Sequence, residues 1–220
     1  VTTISGYRTR YAKMLEQEIS QSNGSLMRIS PMILLFHFTP FSQILDNAII
    51  DTNLTNPCQV NREATIIYLI MFYLIYRDKD ITLENIYSIY TPKEKDIICA
   101  ISEGFEGKQR NVRGKTKGWV CHALYCTCYA MHLVLNGKDF ESIMSLIVAL
   151  GGDTDTNMAI SGALVGCYFG QNKLLKTEKT QYNLQVVLNC NTSLGEFSMQ
   201  DEKGLELYHP KDIFALIEKV

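Results

Sequence analysis

Apolar residues return at intervals of three and four in nearly every long segment of this chain, and strict alternation is scarce outside 185–188. The pattern predicts helices near 7–20, 28–37, 41–50, 60–76, 82–90, 93–102, 119–135, 139–150, 155–169 and 211–219, and so an all-α fold. Several ends have local causes. Pro57 and Pro92 stand where helices are expected to begin, Gly137 follows the helix expected to end at Asn136, and Pro210 fits a first turn, where its missing N–H is harmless. Residues 119–135 are apolar almost all round, which predicts a central helix covered by others. The longest apolar run, 64–76, is closed by Arg62-Glu63 and Arg77-Asp78 and falls short of the ~20 residues a membrane span needs, so it reads as a buried helix. Residues 173–204 are polar and weakly patterned, which predicts an irregular surface excursion.

One segment departs from ordinary helical patterning. Residues 150–170 read LGGDTDTNMAISGALVGCYFG. Gly151 and Gly152 permit a sharp turn out of the preceding helix. Asp153, Asp155 and Thr156 then place three oxygen donors within four residues, the ligand type that Mg2+, Mn2+ or Ca2+ prefers. A plainer reading makes Asp155 the N-cap of a helix starting at Thr156, with Asp153 favouring its positive end; both readings stay open. An EF-hand is excluded, because Met158 stands where the loop needs glycine and Leu164 where it needs glutamate. Behind the turn, Ala159, Gly162, Ala163, Gly166 and Gly170 recur one helical turn apart, which predicts a flat face against another backbone, clamping the helix in the core.

Two other stretches carry polar signals. In SNGSLMRISP, 22–31, Asn23-Gly24 marks a turn and Ser25 is placed to cap a helix carrying Met27 and Arg28; the alternative is a phosphate on the N–H groups of that helix start. Residues 107–120 hold Lys108, Arg110, Arg113, Lys115 and Lys117, either a solvated basic loop or an electropositive rim. The GKT within it is no phosphate-binding P-loop, since Gln109 stands where that pattern needs glycine.

Composition narrows the field. The 220 residues fit one domain, and 21 basic against 23 acidic residues argue against non-specific nucleic-acid binding. Seven cysteines are an odd number, and Cys121, Cys126, Cys128 and Cys167 lie in apolar helical segments, so they read as buried free thiols in a reducing, cytoplasmic setting. Cys126-x-Cys128 with His122 and His132 does not make a zinc set. The first twenty residues carry no apolar signal core.

In the order NGSLMRISP, a Leu-Thr pair, KGWVCHAL and DFESIMSLIVALGGDTDTNMAISGALVGCYFG, the chain resembles the ADP-ribosylglycohydrolase family across most of 22–170. The resemblance implies a compact, orthogonal multi-helix bundle and a two-metal centre, usually Mg2+ or Mn2+. It further implies hydrolysis of the glycosidic bond at the anomeric carbon of ADP-ribose on a protein side chain or small conjugate, with no specific nucleic acid and no membrane as partner. By motif match, Asp153, Asp155 and Thr156 would be metal ligands, with Asp153 and Asp155 catalytic. Asn23, Gly24, Ser25, Gly151 and Gly152 would line the ADP-ribose, and Trp119 stands where the family commonly has tyrosine. The family's upstream Thr-Asp-Asp-Thr segment is absent, so the chain is expected to be an N-terminally incomplete single domain over 1–220. Asn56 stands where a histidine is frequent, and an amide does not exchange a proton near neutrality. The alternative expectation is therefore a degenerate ADP-ribose-binding module without turnover.

Overall fold

The computed structural model describes residues 20–109, 119–174 and 181–182. The helix predicted at 211–219 lies outside them, as do all but the last residue of the one at 7–20 and most of 173–204. The chain groups into two compact units, Val1–Phe169 and Gly170–Val220, and the description below concerns the first. A single domain over 1–220 remains an expectation.

The helices are α1 (Gly24–Ile29), α2 (Phe41–Thr55), α3 (Gln59–Tyr76), α4 (Leu83–Ile89), α5 (Lys95–Phe105), α6 (Trp119–Leu135), α7 (Phe140–Ala149) and α8 (Thr154–Phe169), with a 3-10 helix, Ser30–His37, after α1. No strand occurs among the described residues. The fold is all-α.

The long apolar segments form the centre as their patterning predicts. Every residue from Glu63 to Phe72 of α3 and from Val120 to Met131 of α6 is buried. Tyr68 of α3 donates its hydroxyl to the Ile160 carbonyl of α8 at 2.8 Å, tying the two helices through the core. None of the described helices is long and apolar enough to cross a membrane.

Departures from the predicted boundaries have tertiary causes. The single helix expected over 28–37 is two elements, α1 and a 3-10 helix with Pro31 in its first turn and no buried residue. Helix α2 runs five residues past the expected end at 50, because Thr52 is buried and donates to Thr65 of α3 at 3.1 Å. Helix α6 ends at Leu135 in a left-handed turn: Gly137 has φ +75°, Lys138 N–H bonds Leu133 O at 3.1 Å, and Gly137 N–H bonds Val134 O at 2.9 Å.

Helices α5 and α6 are in close contact at Gly104. A Cβ there would lie 2.5 Å from Cys128 Cβ and 2.9 Å from the Tyr125 carbonyl oxygen. Gly104→Ala is expected to force the helices apart and lower stability by about 1–3 kcal/mol in denaturant unfolding, despite alanine's better helix propensity.

Helix α7 is capped by Asp139, whose carboxylate accepts the Ser142 N–H at 2.8 Å and the Ser142 hydroxyl at 3.1 Å. These two bonds hold the Asp139 carboxyl below its ordinary range. A depressed folded-state value stabilises above the unfolded value and is lost as pH falls through the folded one. Asp139→Ala should therefore lower the unfolding midpoint at neutral pH, with the gap to wild type closing in acid.

Candidate functional site

The turn between α7 and α8 has two consecutive glycines in the left-handed region, Gly151 at φ +79° and Gly152 at φ +78°. A Cβ on Gly152 would sit 2.9 Å from His122 Cδ2 and 3.2 Å from Trp119 Cζ3, so the position excludes a side chain for space as well as conformation. Helix α8 begins at Thr154, earlier than expected. Asp153, rather than Asp155, is the residue before the helix, its carbonyl accepting Asn157 N–H at 2.8 Å. Asp155 lies within the first turn, exposed, and its Oδ1 accepts the Thr156 N–H at 2.8 Å. The N-cap role read for Asp155 is thus corrected.

Asn23, distant in sequence, closes on this turn. Its side-chain N–H donates to Asp153 Oδ2 at 2.7 Å, and Asn23 itself is buried. That donation is the main cause holding the Asp153 carboxyl below its ordinary range; the Asp155 and Thr156 side chains and His122 act in the same direction, against burial. Alongside, Val120 N–H at the start of α6 bonds the Gln21 carbonyl at 2.9 Å. The Asn23 turn, the start of α6 carrying Trp119, and the diglycine turn therefore share one corner of the first unit.

The Asn23-Gly24-Ser25 segment is held from behind by amides. Asn61 donates to Ser22 O at 2.7 Å and to Ser25 Oγ at 3.3 Å, while Asn56 donates to Ser22 Oγ at 2.8 Å. Ser25 does not cap α1 as expected. It is fully buried in the first turn, and the residue before the helix is Asn23. Gly24 is half-buried, and an added Cβ would come no closer than 3.6 Å to Asn56 Oδ1.

The flat small-residue face predicted on α8 is also corrected. The helix buries Thr156, Asn157, Ile160, Ser161, Leu164 and Val165, whereas Ala159 is exposed and Gly162, Ala163 and Gly166 are half-buried. A Cβ on Gly162 would meet only the Met144 sulfur, at 3.4 Å. What anchors α8 is its bonding to α3 and α6, including Thr127 Oγ1 with Ser161 Oγ at 3.3 Å.

Sequence reasoning passed over two residues here. His122 places Nε2 3.2 Å from the Gly151 carbonyl and 3.6 Å from Cys126 Sγ; the carbonyl only accepts, so Nε2 carries the proton. Asn157 donates to the same carbonyl at 3.4 Å. Their signal was a polar residue on an otherwise buried helical face. Cys121, Cys126 and Cys128 are buried as expected, but Cys167 is exposed. Burial pushes the Cys126 thiol up to about 12, so it stands beside His122 as a neutral thiol.

The profile of one family, ADP-ribosylglycohydrolase, matches residues 2–189. The chain belongs to the ADP-ribosylglycohydrolase family. Neither the curated proteins nor the solved structures contain a match. Family membership points to glycosyl hydrolysis of the ADP-ribosylglycohydrolase type, and the all-α architecture agrees with it. Two carboxylates and a hydroxyl are donors of the kind a hard divalent cation takes. Among the described residues, however, no group of three or more His, Cys, Asp and Glu stands together to hold a metal. The donors at this turn thus suit a hard cation in kind, without a cluster that encloses one among the described residues.

Proposed function

We propose that the chain hydrolyses the glycosidic bond of ADP-ribose attached to a protein side chain or a small conjugate, with Mg2+ or Mn2+ as cofactor. The observation that carries the reading is the Asn23–Asp153 bond, which joins two segments 130 residues apart at the carboxylate best suited to a cation. Asp153, Asp155 and Thr156 would hold the cation, which would supply Lewis-acid polarisation of the ribose oxygens. Asp153, kept ionised by its donors, serves as a permanent negative charge rather than a proton donor. Asp155 is the exposed carboxylate of the pair, which suits it to take a proton from water attacking the anomeric carbon. The bond from that carbon to the side chain breaks as the water oxygen bonds to it, and the proton taken up by Asp155 returns to the departing side chain, giving ADP-ribose and the unmodified residue. Trp119 is half-buried beside Gly152 and offers a ring face for stacking on the ligand.

A second reading, ADP-ribose binding without turnover, draws on Asn56 in place of the frequent histidine and on the donor set, which does not enclose a cation among the described residues. Calorimetry with Mg2+ and ADP-ribose, followed by hydrolysis of ADP-ribosylated arginine and serine peptides, separates the two. Metal-dependent release of ADP-ribose is expected. Tight binding with no release favours the second reading, and no heat with either ligand defeats both.

A further inference from the structure

We propose that His122 and Asn157 are positioning residues that fix the diglycine turn, and through it the direction in which Asp153 and Asp155 point. Two successive glycines have the widest conformational freedom of any dipeptide, so their left-handed geometry needs an outside restraint. The Gly151 carbonyl receives that restraint from two helices: His122 Nε2–H from α6 at 3.2 Å and Asn157 Nδ2–H from α8 at 3.4 Å. Asn157 also donates its backbone N–H to the Asp153 carbonyl at 2.8 Å, so one residue grips both sides of the turn. The His122 ring lies where a Gly152 side chain would be, which blocks the turn from rotating toward α6.

The decisive feature is the other end of the Asn157 amide. Asn157 is fully buried, and its Oδ1 has no hydrogen-bond partner among the described residues. An orphan buried acceptor is unfavourable, so an apolar side chain would serve the fold of α8 better. The amide is explained by its donation to Gly151. Stability and site geometry should therefore respond in opposite senses to its removal, which a purely structural residue would not show.

The test compares wild type, Asn157→Ala, Asn157→Leu, His122→Ala and His122→Gln by amide hydrogen exchange, denaturant midpoint, and calorimetry with Mg2+ and ADP-ribose. Exchange at residues 152–156 is expected to quicken about three- to tenfold in both Asn157 variants and in His122→Ala, the scale of one lost hydrogen bond. Exchange within α3 should be unchanged, Asn157→Leu should keep or raise the midpoint, and His122→Gln, which retains a donor, should stay near wild type. Unaltered exchange at 152–156, or an increase matched in α3, overturns the assignment. The calorimetric arm alone rests on the glycohydrolase reading: if wild type binds neither ligand while the exchange pattern appears, that reading fails and the positioning assignment stands.

Discussion

Glu63→Ala is expected to lower folding stability by about 3–4 kcal/mol, the largest single-site effect in the described structure. Glu63 sits on the apolar helix α3 with no exposed surface. Its carboxylate accepts the Lys93 N–H at 3.0 and 3.1 Å, the Glu94 N–H at 2.9 Å, the Tyr90 hydroxyl at 3.2 Å and the Gln59 amide at 3.2 Å. Glu94 is the residue before α5, so a buried carboxyl group from one helix satisfies the backbone amides that lead into another. Removing it strands several donors at once. Glu63→Gln should lose roughly half as much, because one side of the amide still accepts. A spectroscopic check accompanies the unfolding curve. Burial, and then the neighbouring Glu63 carboxylate, push the Tyr90 phenol up to about 12. The tyrosinate titration assigned to Tyr90, read as the difference from Tyr90→Phe, should move down in Glu63→Gln.

Asp153→Asn is expected to reduce metal-dependent hydrolysis on the order of a thousandfold while leaving the fold intact. The substitution keeps the shape and removes the negative charge that the proposed chemistry needs. It also weakens the charge-assisted bond from Asn23 that favours the ionised carboxylate in the fold, so the denaturant midpoint should fall modestly at neutral pH, with the gap to wild type closing in acid. Asn23→Ala acts one step back, by releasing the carboxylate it orients, and should lower kcat/KM about ten- to a hundredfold. Titration of activity with Mg2+ distinguishes the two. The Asn23 variant should recover part of its rate at high metal, and the Asp153 variant should not. Equal rates in Asp153→Asn and wild type would remove Asp153 from the chemistry.

The sequence announced the helices and the oxygen-rich turn, and the reasons for the misses are specific. Residues 64–76 and 119–135 were legible because their apolar patterning leaves no side for water. Asn61 and Glu63 were not: periodicity treats a polar residue in such a helix as noise, and only the fold reveals the Ser22 carbonyl that Asn61 meets and the backbone amides that Glu63 meets. The start of α8 was misplaced because Asp153 and Asp155 are both good cap types, and sequence alone does not choose between them. The glycine and alanine spacing on α8 was real, but spacing does not say which face turns inward; Ile160, Leu164 and Val165 decided that. The close approach of two helices occurs instead at Gly104, an isolated glycine in α5 with no repeating pattern around it. The convergence of Asn23 with Asp153 has no local signature at all, since it is a property of how α1 and α8 pack.

That last contact also sets a clock. Neighbouring pairs such as α5 with α6 and α7 with α8 can assemble from local chain, whereas Asn23 must wait for a partner on the far side of a long loop to be made and folded. On a ribosome, the corner proposed as the site is among the last parts of this unit to exist, and a nascent chain halted before α8 is a stack of helices without it.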